Sequence, residues 1–260
     1  MPSQLTPEIA AAQEDMFLTR VREAMASGPE IRDPVTGKKL ALGRGDPKEY
    51  DDSVEIRRKM ATLGAHDPGL LERLPRNRCL VWRVRKGLLR RRVPFEIVAA
   101  VVNPIRELIK GETAFPRATF ASVTRLIQER LSGDGPTRLA GIYSPTDWDA
   151  GFRFDAIRRP GLGLWLFRPG LKGGFATVRT RSEKPPPPFD IESRQERIEL
   201  VVKYVSDHRF DLLMKGLAAA DAGRDLEMTP ADVRAGFEAA AERDEFLRLD
   251  EGDDLYLRRT

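Results

Sequence analysis

Nine cations fall within twenty positions of this chain: Arg73, Arg76, Arg78, Arg83, Arg85, Lys86, Arg90, Arg91 and Arg92, with Trp82 among them. A guanidinium makes bidentate contacts to phosphate, and an indole can stack on a base. Residue type and density therefore point to the backbone of a nucleic acid, DNA or RNA. The candidate contacts are Arg76, Arg78, Trp82, Arg83, Arg85, Lys86, Arg90, Arg91 and Arg92. The same stretch also suits an acidic protein partner, the chain's own tail included. Less well, it suits an anionic membrane surface, with basic residues ahead of the apolar run near Ile97 to Ile109. The plainest alternative is a solvated basic face that keeps a strand edge open.

A second constellation is acidic. Ser144-Pro145-Thr146-Asp147-Trp148-Asp149 is followed by Asp155, and three carboxylates near a strand end suit a hard cation such as Mg²⁺. A metal-dependent nuclease also needs a carboxylate-x-lysine partner on a following strand. Here that strand ends Arg179-Thr180-Arg181, and Glu183-Lys184 are adjacent in sequence. Asp147, Asp149 and Asp155 thus remain weak metal candidates, and Asx-turn and loop-capping roles come first.

Other chemistry lacks its pattern. His66, His208 and Cys79 have no zinc-site spacing, and no nucleophile elbow supports a Ser/His/Asp triad. Val35-Thr36-Gly37-Lys38-Lys39 lacks the leading glycine of a phosphate loop. Gly161-Leu162-Gly163 lacks the third glycine of a dinucleotide fingerprint. The sequence predicts no cofactor, and a binding role ahead of a catalytic one.

The net charge of +4 conceals opposed segments: −2 over residues 1–71, +9 over 72–130, +4 over 131–189 and −7 over 190–260. Such asymmetry bears on partners. In the tail, Asp232, Glu238, Glu242, Asp253 and Asp254 are candidates for docking a protein.

The elements that must position these groups follow from periodicity and punctuation. Thr6-Pro7 caps a helix over 7–27, and Gly28-Pro29 stops it. Residues 53–63 read as a short helix. Arg78 to Lys86 alternates as a half-exposed strand with a basic outer face. Pro94 then opens a helix to about Lys110, kinked at Pro104, and a second helix covers 118–131. Between Arg138 and Arg181 four strands read as an antiparallel meander: Leu139–Tyr143, Phe152–Ala156, Leu162–Phe167 and Phe175–Thr180. Pro185 to Pro188 reads as a stiff linker. Beyond it come helices over 192–205 and 209–222, a helix from Thr229-Pro230 with Asp232 in the capping-box position, and a terminal hairpin. That order is the order of a winged helix.

The resulting expectation is an α+β chain: a helical and irregular arm (1–71), a basic domain with a mixed or antiparallel sheet and flanking helices (72–184), a proline linker (185–189) and an acidic winged-helix-like domain (190–260). No apolar run approaches the ~20 residues of a membrane span. The first residues lack signal-peptide features and Cys79 has no partner for a disulfide, so a cytoplasmic protein is expected. The functional expectation is a non-enzymatic subunit of a larger assembly, touching nucleic acid through its basic region and a protein through its tail. The alternatives are a pure protein adaptor and a divalent-metal enzyme using residues 144–155.

Overall fold

A computed structural model describes residues 5–32, 39–40, 46–86, 92–119, 121–123, 126, 137–149, 162–170, 174–178, 186–191, 194–226, 228–251 and 255–259. The chain forms two compact units: residues 1–169 with 185–191, and residues 170–184 with 192–260.

The first unit opens with helix α1 (Pro7–Ala26), whose N-cap Thr6 accepts a hydrogen bond from the Ile9 amide and whose first position is Pro7. A two-residue pair, β1 (Ile31–Arg32) and β2 (Lys39–Leu40), follows; the turn between them lies outside the described residues. Next come β3 (Lys48–Tyr50), α2 (Ser53–Thr62) and α3 (Pro68–Arg73), then β4 (Cys79–Lys86) and β5 (Arg92–Val101). Helix α4 (Ile105–Lys110), β6 (Thr137–Tyr143) and β7 (Leu162–Pro169) complete the scaffold. The sheet runs β3-β4-β5-β6-β7 and is mixed. The first two pairings are antiparallel and the last two parallel.

Two expectations are corrected here. Residues 94–101 form a strand and not a helix. Phe95, Ile97, Val98, Ala99 and Ala100 are all fully buried, so both faces of β5 are covered. A continuous apolar run of that kind has no period with which to tell strand from helix. The expected meander is also replaced, because β5, β6 and β7 are parallel neighbours. Residues 144–161 are long enough for the crossover that parallel strands require. The expected strand at 152–156 falls within that connection and outside the described residues; most of the expected helix over 118–131, before β6, also lies outside the described residues.

Helix α1 packs its stripe of Ala10, Phe17, Leu18 and Val21 inward, and Phe17 stacks on Tyr143 of β6 at 5.3 Å between centroids. The proline run enters this core. Pro187–Phe189 forms a 3-10 turn, Phe189 is fully buried, and its ring lies over Gly141 so closely that a Cβ there would come within 2.5 Å. Glycine at 141 lets that ring approach the strand.

The second unit begins with β8 (Phe175–Thr177) and continues as α5 (Arg194–Asp207), α6 (Arg209–Met214), β9 (Leu217–Ala218), α7 (Ala219–Leu226), α8 (Pro230–Arg243), β10 (Leu247–Glu251) and β11 (Leu255–Arg259). The helix expected over 209–222 is broken at Gly216 (φ +80°), beside which β9 joins a three-stranded antiparallel sheet in the order β10-β11-β9. Val201, Val205, Leu217, Val233, Phe237 and Leu257 form its core. No described helix is long and apolar enough to cross a membrane.

Candidate functional site

Among the described residues, the cations of the 73–92 stretch fall at two ends of β4. Arg76 and Arg78 precede the strand, while Arg83, Arg85 and Lys86 lie toward its far end, with Cys79 and Lys86 separated by about 23 Å of strand. Arg90 and Arg91 lie outside the described residues. At the far end, cross-strand register aligns Arg83 with Glu96, and Glu96 with Arg138. One carboxylate thus serves two guanidiniums: Glu96 accepts from Arg83 Nε at 3.0 Å and from Arg138 Nε at 2.9 Å. The Arg83 side chain keeps 47% of its surface exposed. Backbone register then places Lys86 opposite Arg92 as the hairpin closes. Trp82 is 7% exposed, so its indole is packed within the fold and cannot stack on a base; that part of the expectation is corrected.

The near end is organised by a residue that sequence reasoning missed. Glu14 of α1 is 1% exposed. Its carboxylate accepts from the backbone N–H groups of Arg76, Asn77 and Arg78 at 3.2, 3.0 and 3.3 Å. It also accepts from Arg78 Nε at 3.0 Å and from Asn103 Nδ2 at 2.7 Å. Burial pushes this carboxyl above its ordinary range, against the pull of Arg78 and the amides. Arg78 further pairs with Asp15 and with Glu49, so its guanidinium is held inside the fold and is removed from the set of free phosphate contacts. Asn77 carries a positive φ of 50°, which turns its side chain carbonyl to accept from the Asn103 amide at 2.8 Å. A signal for Glu14 existed: it lies four residues after Ala10 and three before Phe17, on the apolar stripe of its helix.

Asn103 stands just past the carboxyl end of β5, in the wall of a cleft of about 400 Å³. Lys59, Arg106, Arg117, Thr119, Ser122, Ser144 and Thr146 line the same cleft. The Asn103 amide nitrogen serves Glu14 and Asn77, and its carbonyl Oδ1 has no hydrogen-bond partner. Leaving such a group unpaired costs about 1–3 kcal/mol. Ser144 is fully buried, with its hydroxyl 3.2 Å from that of Thr146.

The acidic segment after β6 is used in a turn. Asp147 adopts φ 64°, and its carboxylate accepts from the Trp148 amide at 2.8 Å. The indole N–H of buried Trp148 donates to the Phe167 carbonyl, and Ala118 bridges to residues 147 and 149 through backbone hydrogen bonds. Asp149 is exposed and Asp155 lies outside the described residues. Among the described residues no three His, Cys, Asp or Glu side chains gather as metal ligands. His208 is stacked on Tyr204 at 4.0 Å between centroids.

In the second unit the tail acids divide. Asp232 is engaged at the start of α8, where it accepts from the Thr229 hydroxyl at 3.0 Å and pairs with Arg197 at 3.2 Å. Glu238 and Glu242 are exposed one turn apart on that helix. Asp253 and Asp254 lie outside the described residues. On α6, Phe210, Leu213 and Met214 are exposed at 76%, 54% and 72%.

Comparison with protein-family models, with curated proteins and with solved structures gives no match to this chain.

Proposed function

We propose that this chain contacts nucleic acid through the far end of the β4–β5 hairpin. The observation that carries this reading is a concentration of unopposed charge. From Val84 to Phe95, past the Arg83–Glu96 pair, the chain holds Arg85, Lys86, Arg90, Arg91 and Arg92 and no carboxylate. Lys86 and Arg92 stand at partnered positions. Like charges at directly opposed positions disfavour a hairpin, and a polyanion laid along it relieves that repulsion. The contact is to phosphate and carries no sequence preference of its own.

The test is fluorescence-anisotropy binding of short single- and double-stranded DNA and RNA at two salt concentrations. Binding is expected to weaken steeply with salt, and the combined change Arg90→Ala, Arg91→Ala and Arg92→Ala to reduce the salt slope by roughly 2 to 3. No binding at low salt, or an unchanged slope in the triple variant, overturns the reading.

A second role is proposed for residues 190–260, as a winged-helix-like module that docks a protein. Two helices, a short strand, two further helices and a hairpin, with β11 between β9 and β10, support the winged-helix comparison, in which α6 is an additional short helix. In a DNA-binding winged helix the counterpart of α8 enters the major groove. Glu238 and Glu242 on α8 would repel phosphate, and the exposed Phe210, Leu213 and Met214 suit a protein surface. This reading predicts a complex that survives nuclease treatment and is lost on Phe210→Ala with Met214→Ala. A complex dissolved by nuclease argues against it.

A further inference from the structure

We propose that the partner of the β4–β5 hairpin is duplex DNA, and that the hairpin enters its major groove as a two-stranded ribbon. This inference rests on the nucleic-acid reading above and adds the form of the nucleic acid and the groove. The first reason is how far the neighbouring strands reach. Strand β3 pairs with β4 only from Cys79 to Val81, and β6 pairs with β5 only from Phe95 to Val101. Beyond them Lys86 still faces Arg92 across the hairpin. Among the described residues no third strand flanks Arg85 and Lys86 or Arg92 to Pro94, so the sheet narrows there to a ribbon of two strands.

Size and shape supply the second reason. Residues 84–86 and 92–94 carry the ribbon about 10 Å past its neighbours at the usual rise per residue. The major groove of B-form DNA is about 8.5 Å deep and about 12 Å wide and admits a two-stranded ribbon, whereas the minor groove, at about 6 Å, is too narrow. The deep major groove of an RNA duplex is narrow as well, and a single strand has no groove. The pairing also slips between Val84 and Lys86, where two steps along β4 match three along β5. Pro94 falls within that slip and has no N–H to give to a ladder. An irregularity of this kind strengthens the right-handed twist of the ribbon, which suits a helical groove. Charge is the third reason. The ribbon carries Arg85 and Lys86 on one strand and Arg92 on the other, so cations are available to the phosphates of both groove walls. Proline and cations at open strand edges also discourage a protein strand from adding there.

The experiment is anisotropy binding of the full chain to a DNA duplex, an RNA duplex and a DNA single strand of matched sequence at one salt concentration, followed by dimethyl sulfate probing of the DNA complex. The DNA duplex is expected to bind about tenfold or more tighter than either of the others. Guanine N7, in the major groove, is expected to be protected from methylation, and adenine N3, in the minor groove, to stay reactive. Lys86→Ala with Arg92→Ala is expected to weaken duplex binding about tenfold or more and to lower the salt slope by about 2. That change removes like charges from opposed positions, so it does not threaten the hairpin. An RNA duplex or single strand that binds as tightly as the DNA duplex overturns the groove assignment and leaves the nucleic-acid reading standing. Protection of adenine N3 with guanine N7 left reactive does the same. No binding to any of the three overturns both.

Discussion

The two ends of the first unit's sheet use the same residue types to different ends. At the far end, Glu96 shares its two oxygens between Arg83 and Arg138, and Arg83 remains half-exposed. At the near end, Glu14 collects three backbone amides, a guanidinium and a side-chain amide, and Arg78 is only 20% exposed. Glu96, on an interior strand and only 7% exposed, is shared between one arginine on each neighbouring strand and moderates the charge there. A carboxylate sealed under a helix organises backbone, and through Asn77 and Asn103 it shapes the cleft. The difference lies in how much hydrogen-bonding capacity the surrounding chain consumes, and it decides which arginines remain to meet a ligand.

The comparison is most exposed to failure at Glu14. Glu14→Ala leaves Arg78 Nε and three backbone amides without their acceptor in a buried site, and a loss of about 3–5 kcal/mol is expected in urea unfolding. A loss below about 1 kcal/mol would mean that the near end is not organised by this carboxylate. Next in size is a paired measurement. Arg78→Ala is expected to destabilise by about 2–3 kcal/mol, because it leaves Glu14 buried without its cation, whereas Arg83→Ala is expected to cost under about 1 kcal/mol. Equal losses would erase the distinction between the two ends. Glu96→Gln should lie between them, at about 1–2 kcal/mol, and should leave oligonucleotide affinity equal or higher, since it removes a negative charge beside the hairpin.

The smallest expected effect is in pH. Burial holds the Glu14 carboxyl above its ordinary 4.5, so the folded chain binds this proton more tightly than the unfolded chain does. The stability that Glu14 contributes is therefore greatest below pH 4.5. It declines as pH rises through the raised folded value and is constant above it. Subtracting the Glu14→Gln variant isolates this dependence. The difference in unfolding free energy, wild type minus variant, should fall as pH rises above the ordinary 4.5, and a rise there would reverse the assignment.

Much of the local structure was legible in the residues. Thr6-Pro7 and Thr229-Pro230 with Asp232 announce two helix starts through capping chemistry that involves neighbours three positions apart. The strand at Cys79–Lys86 and the terminal hairpin were legible in the same way, although residues 79–82 are buried on both faces and the expected half-exposed alternation is not seen there. Strand β5 was not, since burial on both faces erases the period that would reveal it. Its parallel pairing to β6 was equally hidden, because register across a crossover depends on residues some forty positions away.

By itself, then, the sequence determined the charge of each segment, the helix caps, the strand at Cys79–Lys86 and the concentration of cations over residues 83–92. Tertiary structure decided which of those charges are free. Glu14 meets Arg78 across 64 positions and Asn103 across 89. No local pattern encodes such a meeting. It exists because hydrophobic burial of α1 against the sheet carries a carboxylate out of water, and that carboxylate must take whatever donors the folded chain brings to it.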